Sequence, residues 1–376
     1  MTPLPPDRCR LDQIRIGIIG LGHQGSLYSG LFVHDAIPGA RLTAICVRQG
    51  RTASGLQDIA LFTDANAMIR SGCIDAVIIA TPHPSHADLA ILAIHHGLHV
   101  LIDKPMASQA ADCARITAAH EQNGHNSILA IMHHQRFDPR YRRLSELLAS
   151  GQCGRTQRFA WTVTDWFRTD AYFASAPWRG TWTGEHGGLL INQCPHQLDL
   201  LHWFFGRPSR VQATCRFGAH HPIQTEDEVH ALFAYEDGML GTFTASSGEA
   251  PGINRLEIAT DRGLITVDPQ GLAWNRTRLD VAACRRSSSD PMPTLASELI
   301  AESYSDSGPF HLHVLRNFVE SCRGLAAPLA PKATGAHAVE LANALLLSSW
   351  EGRWVDLPLD AGYYATELSR RCAADR

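Results

Sequence analysis

The sequence predicts two domains, a doubly wound α/β domain followed by an α+β domain with an open, mostly antiparallel sheet. Three observations carry that reading. Up to about residue 135, short branched-aliphatic runs alternate with segments of helical period, as in a parallel sheet buried on both faces. After Gly151 the strands lengthen and alternate apolar with polar residues, as in a sheet covered on one face. A chain of 376 residues also suits two domains better than one. We read 1–13 as a disordered leader, 14–135 as the first domain and 136–376 as the second.

In the first domain the expected strands are 14–20, 41–47, 75–81, 98–103 and 127–132. The helix over 84–97 opens with Pro84 in its first turn, repeats apolar residues at Leu89, Leu92 and Ala93, and stops at Gly97. In the second domain strands are expected at 155–166, 209–217, 227–236 and 239–247. A hairpin over 254–268 turns at Asp261-Arg262-Gly263. Pro195 cannot sit deep in a helix, so one starts around Cys194, with Asn192 or Gln193 near its cap. Leu198, Leu201 and Phe205 line one face of it up to Gly206. The serine- and charge-rich stretch 270–309 reads as irregular, and helices over 310–324 and 334–352 close the chain.

A net charge of −4 argues against nucleic acid and anionic membrane as partners. No apolar run approaches the ~20 residues of a spanning helix. The ten cysteines are scattered singly, the pattern of reduced thiols in a cytoplasm. None of the twenty histidines has the spacing of a helical metal site, so no metal is expected.

The sharpest motif is G-x-G-x-x-G at Gly20, Gly22 and Gly25, directly after a strand and before a helix. There the first glycine permits a tight turn, the second lets a pyrophosphate approach, and the third lets helix and strand pack closely. That makes the first domain a dinucleotide-binding Rossmann domain, with His23 and Gln24 beside the phosphates. The usual ribose carboxylate falls about 20 residues later. Here that region carries Arg48 and Arg51 and no acid, which favours NADP over NAD.

In doubly wound sheets, ligands bind beyond the carboxyl ends of the strands. One such end leaves Thr81, Pro82 and His83, with His86 in the following first helical turn; another leaves Asp103 and Lys104. A lysine there can donate to a substrate hydroxyl and favour an alkoxide; a solvated strand-end lysine is the plainer alternative. In the second domain His196 falls in a first helical turn, where the helix dipole favours the neutral ring; Asn192 and Asp199 flank it at −4 and +3.

Taken together, the glycine loop, "TPHPSH", "IDKPMA", "QRFDPRY", "LLINQCPHQLDLL" and "GRWVDLPLDAGYY" resemble the Gfo/Idh/MocA oxidoreductase family over nearly the whole chain. "WRGTW" is similar to one branch of it. The resemblance implies that Lys104 is the catalytic lysine and His196 the acid/base, with Asn192 where an aspartate is common. It also implies a cis peptide before Pro105, Asp103 in place of the usual glutamate, and Gln135 at the cofactor. Substrate contacts would come from Lys104, Arg136, Tyr172, Trp178, Arg179, Trp182, His186, Asn192 and His196; the aromatic loop 172–182 could equally pack at an interface. The implied activity is an NAD(P)-dependent oxidoreductase acting on a ring hydroxyl or ketone of a sugar, glycoside or cyclitol, assembled as a homodimer or homotetramer. Two alternatives stay open. One is a redox-recycling glycosidase with His186, Tyr172 or His83 as an extra base; the other is a non-catalytic sensor.

Overall fold

The computed structural model describes residues 12–34, 36–47, 58–123, 127–305, 308 and 310–374. The chain forms two compact units. One is Met1–Phe137 with Gly308–Val339; the other is Asp138–Ser307 with Glu340–Arg376. A single boundary at 135 therefore does not divide it. Residues 308–339 join the first unit because Val314, Leu315, Phe318 and Val319 pack into one core with Ile14, Ile16, Ile18 and Tyr28.

The first unit runs β1 (Ile14–Ile19), α1 (His23–Val33), β2 (Ala40–Cys46), β3 (Ala60–Phe62), α2 (Ala65–Arg70), β4 (Ala76–Ile79), α3 (His86–His95), β5 (His99–Ile102), α4 (Ala110–Gln122) and β6 (Leu129–Ile131). All six strands are parallel, in the order β3-β2-β1-β4-β5-β6. Consecutive strand residues point to opposite faces, and both faces are covered. Val77, Ile79, Val100 and Ile102 enter one core, while Ile78 and Leu101 enter the other. Each such fully buried aliphatic side chain contributes about 2 kcal/mol. Strand β3 was not expected. Its three residues, Ala60–Phe62, are apolar but too few to stand out as a strand, and they lie mostly exposed at the sheet edge.

The second unit continues with α5 (Pro139–Ala149), β7 (Thr156–Val163), α6 (Asp170–Ala174), α7 (Trp182–Glu185), α8 (Leu189–Asn192) and α9 (Pro195–Phe205). Strands β8 (Arg210–Phe217), β9 (Glu226–Ala234), β10 (Leu240–Ser246), β11 (Asn254–Thr260), β12 (Gly263–Asp268) and β13 (Gly271–Thr277) follow. Then come α10 (Val281–Ser287) and β14 (Ser297–Glu302). Helix α11 (His311–Cys322) returns to the first unit, and α12 (Lys332–Glu351), β15 (Val355–Asp356) and α13 (Ala361–Ala374) complete the chain. The nine-stranded sheet has the order β14-β13-β12-β11-β7-β10-β9-β8-β15, and only β7 with β10 pairs in parallel. The stretch 270–309 is thus not irregular. Its last strand is an exposed sheet edge whose pairing comes from the backbone of β13, so its side chains need no apolar alternation. Helix α10 is capped by Asp280, which accepts from the Ala283 N–H at 2.8 Å. No described helix is long and apolar enough to cross a membrane.

Candidate active site

The strand β1 ends where the chain must turn sharply. Gly20 has φ +96°, and a Cβ there would lie 2.4 Å from the Ala80 carbonyl oxygen. A Cβ on Gly25 would lie 1.9 Å from the Gly20 carbonyl oxygen, whereas one on Gly22 would meet nothing within 4 Å. Two glycines therefore close the strand-helix joint and the third leaves open space before α1. No side chain caps that helix, so its first N–H groups face that space. His23 is exposed, and the Oε1 of Gln24 is buried with no hydrogen-bond partner. These features fit a dinucleotide pyrophosphate. Arg48 and Arg51 lie outside the described residues.

Strands β1, β4 and β5 are neighbours, so Gly20, Thr81 and Lys104 follow three adjacent strand ends. Half-buried Asp103 holds the last of these. Its Oδ1 accepts the Lys104 N–H at 2.9 Å and the Tyr28 hydroxyl at 3.0 Å. Tyr28 is fully buried, and burial followed by the Asp103 charge holds its hydroxyl well above the ordinary pKa. The Lys104–Pro105 peptide is cis. His86 was expected at the cofactor. Instead its ring is fully buried, with Nδ1 2.9 Å from the Pro105 carbonyl and Nε2 2.8 Å from the Thr81 carbonyl, so it ties the two strand ends together. Both contacts together would need the imidazolium, yet burial pushes its pKa down. We take the ring as neutral, donating to one carbonyl, because wholly burying the cation costs more than one weak contact. Thr81 Oγ1 bonds Ser85 Oγ at 2.7 Å, Pro82 is exposed, and His83 is buried beside His86. Gln135 is half-buried, but Arg136 is spent on the protein, donating to the Leu329 carbonyl at 3.1 Å. The His134 and His311 rings lie with centroids 4.2 Å apart, tilted by 39°. Burial, then His311 and Lys104, push His134 down to about 2, so that ring is neutral.

In the second unit, Tyr172, Trp178 and Arg179 form a half-buried stack. The Arg179 guanidinium lies 4.3 Å from the Tyr172 ring centre and 4.4 Å from that of Trp178, and its Nη1 donates to the Tyr172 hydroxyl at 2.7 Å. Trp182 does not join them. It is buried against Trp350 and Phe217, because it opens α7 on the inner side. His186 ends α7 with φ +64°, the left-handed conformation that glycine adopts most readily. Helix α9 does start at Pro195, but Cys194 is the N-cap residue and no side chain caps it. Asn192 belongs to the separate helix α8, so the −4 helical relation to His196 fails; Asp199 shares α9 with it, and both are buried.

A buried carboxylate braces this region. Glu226 accepts from the Gly188 and Leu190 N–H groups at about 2.9 Å, and burial pushes it up to about 7. The folded state then holds a proton that the unfolded chain releases near pH 4.5. Stability is full below that pH and is lost as pH rises towards about 7. Glu226→Gln should abolish that slope. The stability difference between the two proteins should change by up to about 3 kcal/mol across this window, read by denaturant unfolding.

Comparison with known proteins follows the two units. Residues 14–130 match the profile described as "Oxidoreductase family, NAD-binding Rossmann fold", and 141–266 match "GFO/IDH/MocA C-terminal domain". Inositol 2-dehydrogenase of Rubrobacter xylanophilus is 30% identical over 266 residues, 69% of this chain and 72% of that one. The chain belongs to the Gfo/Idh/MocA oxidoreductase family. It is also 29% identical over 238 residues, 62% of its own length, to the 1-carboxy-3-chloro-3,4-dihydroxycyclohexa-1,5-diene dehydrogenase of Comamonas testosteroni, of which it spans just 58%. The WlbA dehydrogenase of Bordetella pertussis, solved with NADH and UDP-GlcNAcA, has TM-score 0.75 at 25% identity, covering 93% of this chain and 100% of that one. Levoglucosan dehydrogenase with NADH and L-sorbose shares the fold at TM-score 0.78 and 19% identity, covering 93% and 100%.

Three residues of this Gfo/Idh/MocA protein were not anticipated. Tyr28 and Glu226 hold backbone and carboxylate in place. Glu185 is buried, accepting the Gly180 N–H at 2.7 Å through Oε2 and the Asn192 amide through Oε1. Only an acid inside a glycine-rich run, "TGEHGG", hinted at it.

Proposed function

We propose that this chain is an NAD(P)-dependent dehydrogenase or reductase acting on a ring hydroxyl or ketone of a sugar, glycoside or cyclitol. The observation that carries the reading is Lys104, held by its own N–H to Asp103 at a strand end beside the glycine loop's strand row. The names of the relatives, inositol 2-dehydrogenase and a dihydroxycyclohexadiene dehydrogenase, support the substrate class. When bound, the nicotinamide supplies or takes the hydride. Lys104 donates to the reacting oxygen and its charge favours the alkoxide, while His196 takes or returns the proton. Asn192, Tyr172, Trp178 and Arg179 hold the ring. Gly20, Gly22, His23, Gln24, Gly25, Thr81, Pro82 and Gln135 surround the dinucleotide. Turnover of myo-inositol, levoglucosan or UDP-GlcNAcA, read at the nicotinamide absorbance band, tests this; no turnover across such a panel overturns it. Nitrophenol released from a nitrophenyl glycoside without net NAD(P)H would assign the redox-recycling glycosidase instead.

For the coenzyme we propose NADP. Strand β2 ends at Cys46, and the sequence after it offers Arg48 and Arg51 but no carboxylate for a ribose hydroxyl. Arg48→Asp with Arg51→Asp should shift the kcat/KM ratio from NADP towards NAD by roughly 10–100-fold, the loss of one charge-assisted phosphate contact. An unchanged ratio would assign NAD. We further propose a cytoplasmic homodimer or homotetramer, which light scattering on the purified protein checks.

A further inference from the structure

We infer that Arg168 is a specificity-determining residue that pairs with an anionic substituent, a carboxylate or a phosphate, on the sugar or cyclitol ring of the substrate. The inference rests on the sugar or cyclitol reading and narrows it to acidic members of that class. Arg168 lies in the connection between β7 and α6, outside any regular element, yet its position is fixed from several sides. Its backbone N–H donates to the Ser247 carbonyl at 2.9 Å. Its Nη1 donates to the Phe167 carbonyl at 2.9 Å and lies 3.5 Å from the Trp166 carbonyl. The guanidinium carbon stands 5.4 Å from the Trp166 ring centre and 5.1 Å from that of Tyr172. A guanidinium carries its donors in a rigid planar fork, so one held this way is pre-organised for a planar or tetrahedral anion.

What the protein leaves unanswered here is the charge. Arg168 and Arg179 both lie against the Tyr172 ring, and neither pairs with a carboxylate among the described residues. Three acids stand close in the chain, and each is engaged elsewhere. Asp165 bonds Asn254, Asp170 Oδ1 lies 3.3 Å from His221 Nδ1, and Glu185 accepts from Gly180 and Asn192. Arg179 spends its Nη1 on the Tyr172 hydroxyl and its Nε on Ser175 Oγ. In half-buried Arg168 the Nε is buried without a hydrogen-bond partner, whereas the Nη2 is neither buried nor bonded within the protein. That end of the fork is open to solvent. Two uncompensated cations on one ring repel, and an anion beside them removes that cost. A neutral polyol gains less, because guanidinium donates and never accepts. The Tyr172 hydroxyl also lies 3.4 Å from Asn192 Nδ2, so the cations adjoin the residues proposed above to hold the ring.

The test compares glucose with glucuronate and glucose 6-phosphate in wild type, Arg168→Gln and Arg168→Lys, each saturated with coenzyme. In wild type, kcat/KM should favour the better acidic sugar over glucose by roughly 10–100-fold, the worth of one charge-assisted pair. Which acid leads tells carboxylate from phosphate, and the preference should shrink as salt rises. Arg168→Gln should bring the ratio near one, with the loss in KM and not in kcat. The ratio cancels any change in packing against Tyr172, which all three sugars feel alike. Arg168→Lys, which keeps the charge without the fork, should retain a smaller preference. A ratio near one in wild type, or one that Arg168→Gln leaves unchanged, would overturn the inference. So would a dinucleotide Kd raised about tenfold in Arg168→Gln with the ratio intact, because the guanidinium would then meet the coenzyme's phosphates. If wild type turns over none of the three, the sugar reading fails for them, and calorimetric titration of both acids into the NADP-bound protein decides alone. Binding that Arg168→Gln weakens supports the pairing, and no binding of either acid overturns it.

Discussion

Replacing Lys104 by alanine is expected to lower kcat about 10³-fold while leaving the dinucleotide Kd within a few-fold of wild type. The magnitude follows from the two effects the ammonium supplies. One is a donor aimed at the reacting oxygen, and the other is a positive charge beside the developing alkoxide; losing such a group costs roughly 10²–10⁴ in rate. The selectivity of the loss follows from the local backbone. The contact that fixes residue 104 is its N–H to Asp103 Oδ1, and alanine keeps that N–H. Tyr28 goes on holding Asp103 from α1, and His86 still meets the Pro105 and Thr81 carbonyls. The strand end therefore survives and only the chemistry goes. Lys104→Arg should not restore the rate, because the larger planar guanidinium carries its charge and donors in a rigid fork rather than as a compact ammonium at the same point. Single-turnover absorbance kinetics with a fluorescence titration of NADPH measures both quantities. Near-normal turnover in Lys104→Ala would remove the lysine from the mechanism.

Some of this was legible in the sequence and some was not, and the division has a physical pattern. Groups that act through their own chemistry at a fixed spacing could be read directly. Gly20, Gly22 and Gly25 stand as expected at the end of β1, and Lys104 does follow a fully buried strand. Groups that act through a partner far along the chain could not. Tyr28 reads as an ordinary helix residue until β5 delivers Asp103 to it, 75 residues later. Glu226 stands just before the expected strand 227–236, and only the fold brings it to the Gly188 and Leu190 N–H groups. Asp103, for which sequence offered no reason to be shorter than glutamate, turns out to reach its own following N–H and the tyrosine with one oxygen. Aromatic residues were misleading in the other direction. Trp182 shares a loop with Trp178, yet one packs inward on Trp350 and the other stacks on Arg179. The irregular reading of 270–309 failed for a related reason, since an exposed edge strand is fixed by backbone pairing and leaves no mark on its side chains.

The glycine loop allows packing and binding to be separated by experiment. Gly25→Ala should lower the thermal midpoint by several degrees and abolish measurable dinucleotide binding. Its Cβ would sit 1.9 Å from the Gly20 oxygen and 2.9 Å from the Gly20 carbonyl carbon, both backbone atoms that cannot rotate away. Either α1 backs off the sheet or the turn opens, and overpacking of this kind costs about 1–3 kcal/mol. Tyr28 rides on the same helix, so a shift there also loosens Asp103 beneath Lys104. Gly22→Ala should behave differently. Its φ is −71°, and a Cβ would meet nothing within 4 Å, so the unliganded protein should melt where wild type does. The added methyl instead occupies the space at the start of α1, and dinucleotide Kd should rise at least tenfold. Differential scanning fluorimetry without and with NADPH reads both effects in one assay. If Gly22→Ala binds as wild type does, the open space before α1 is not where the pyrophosphate lies.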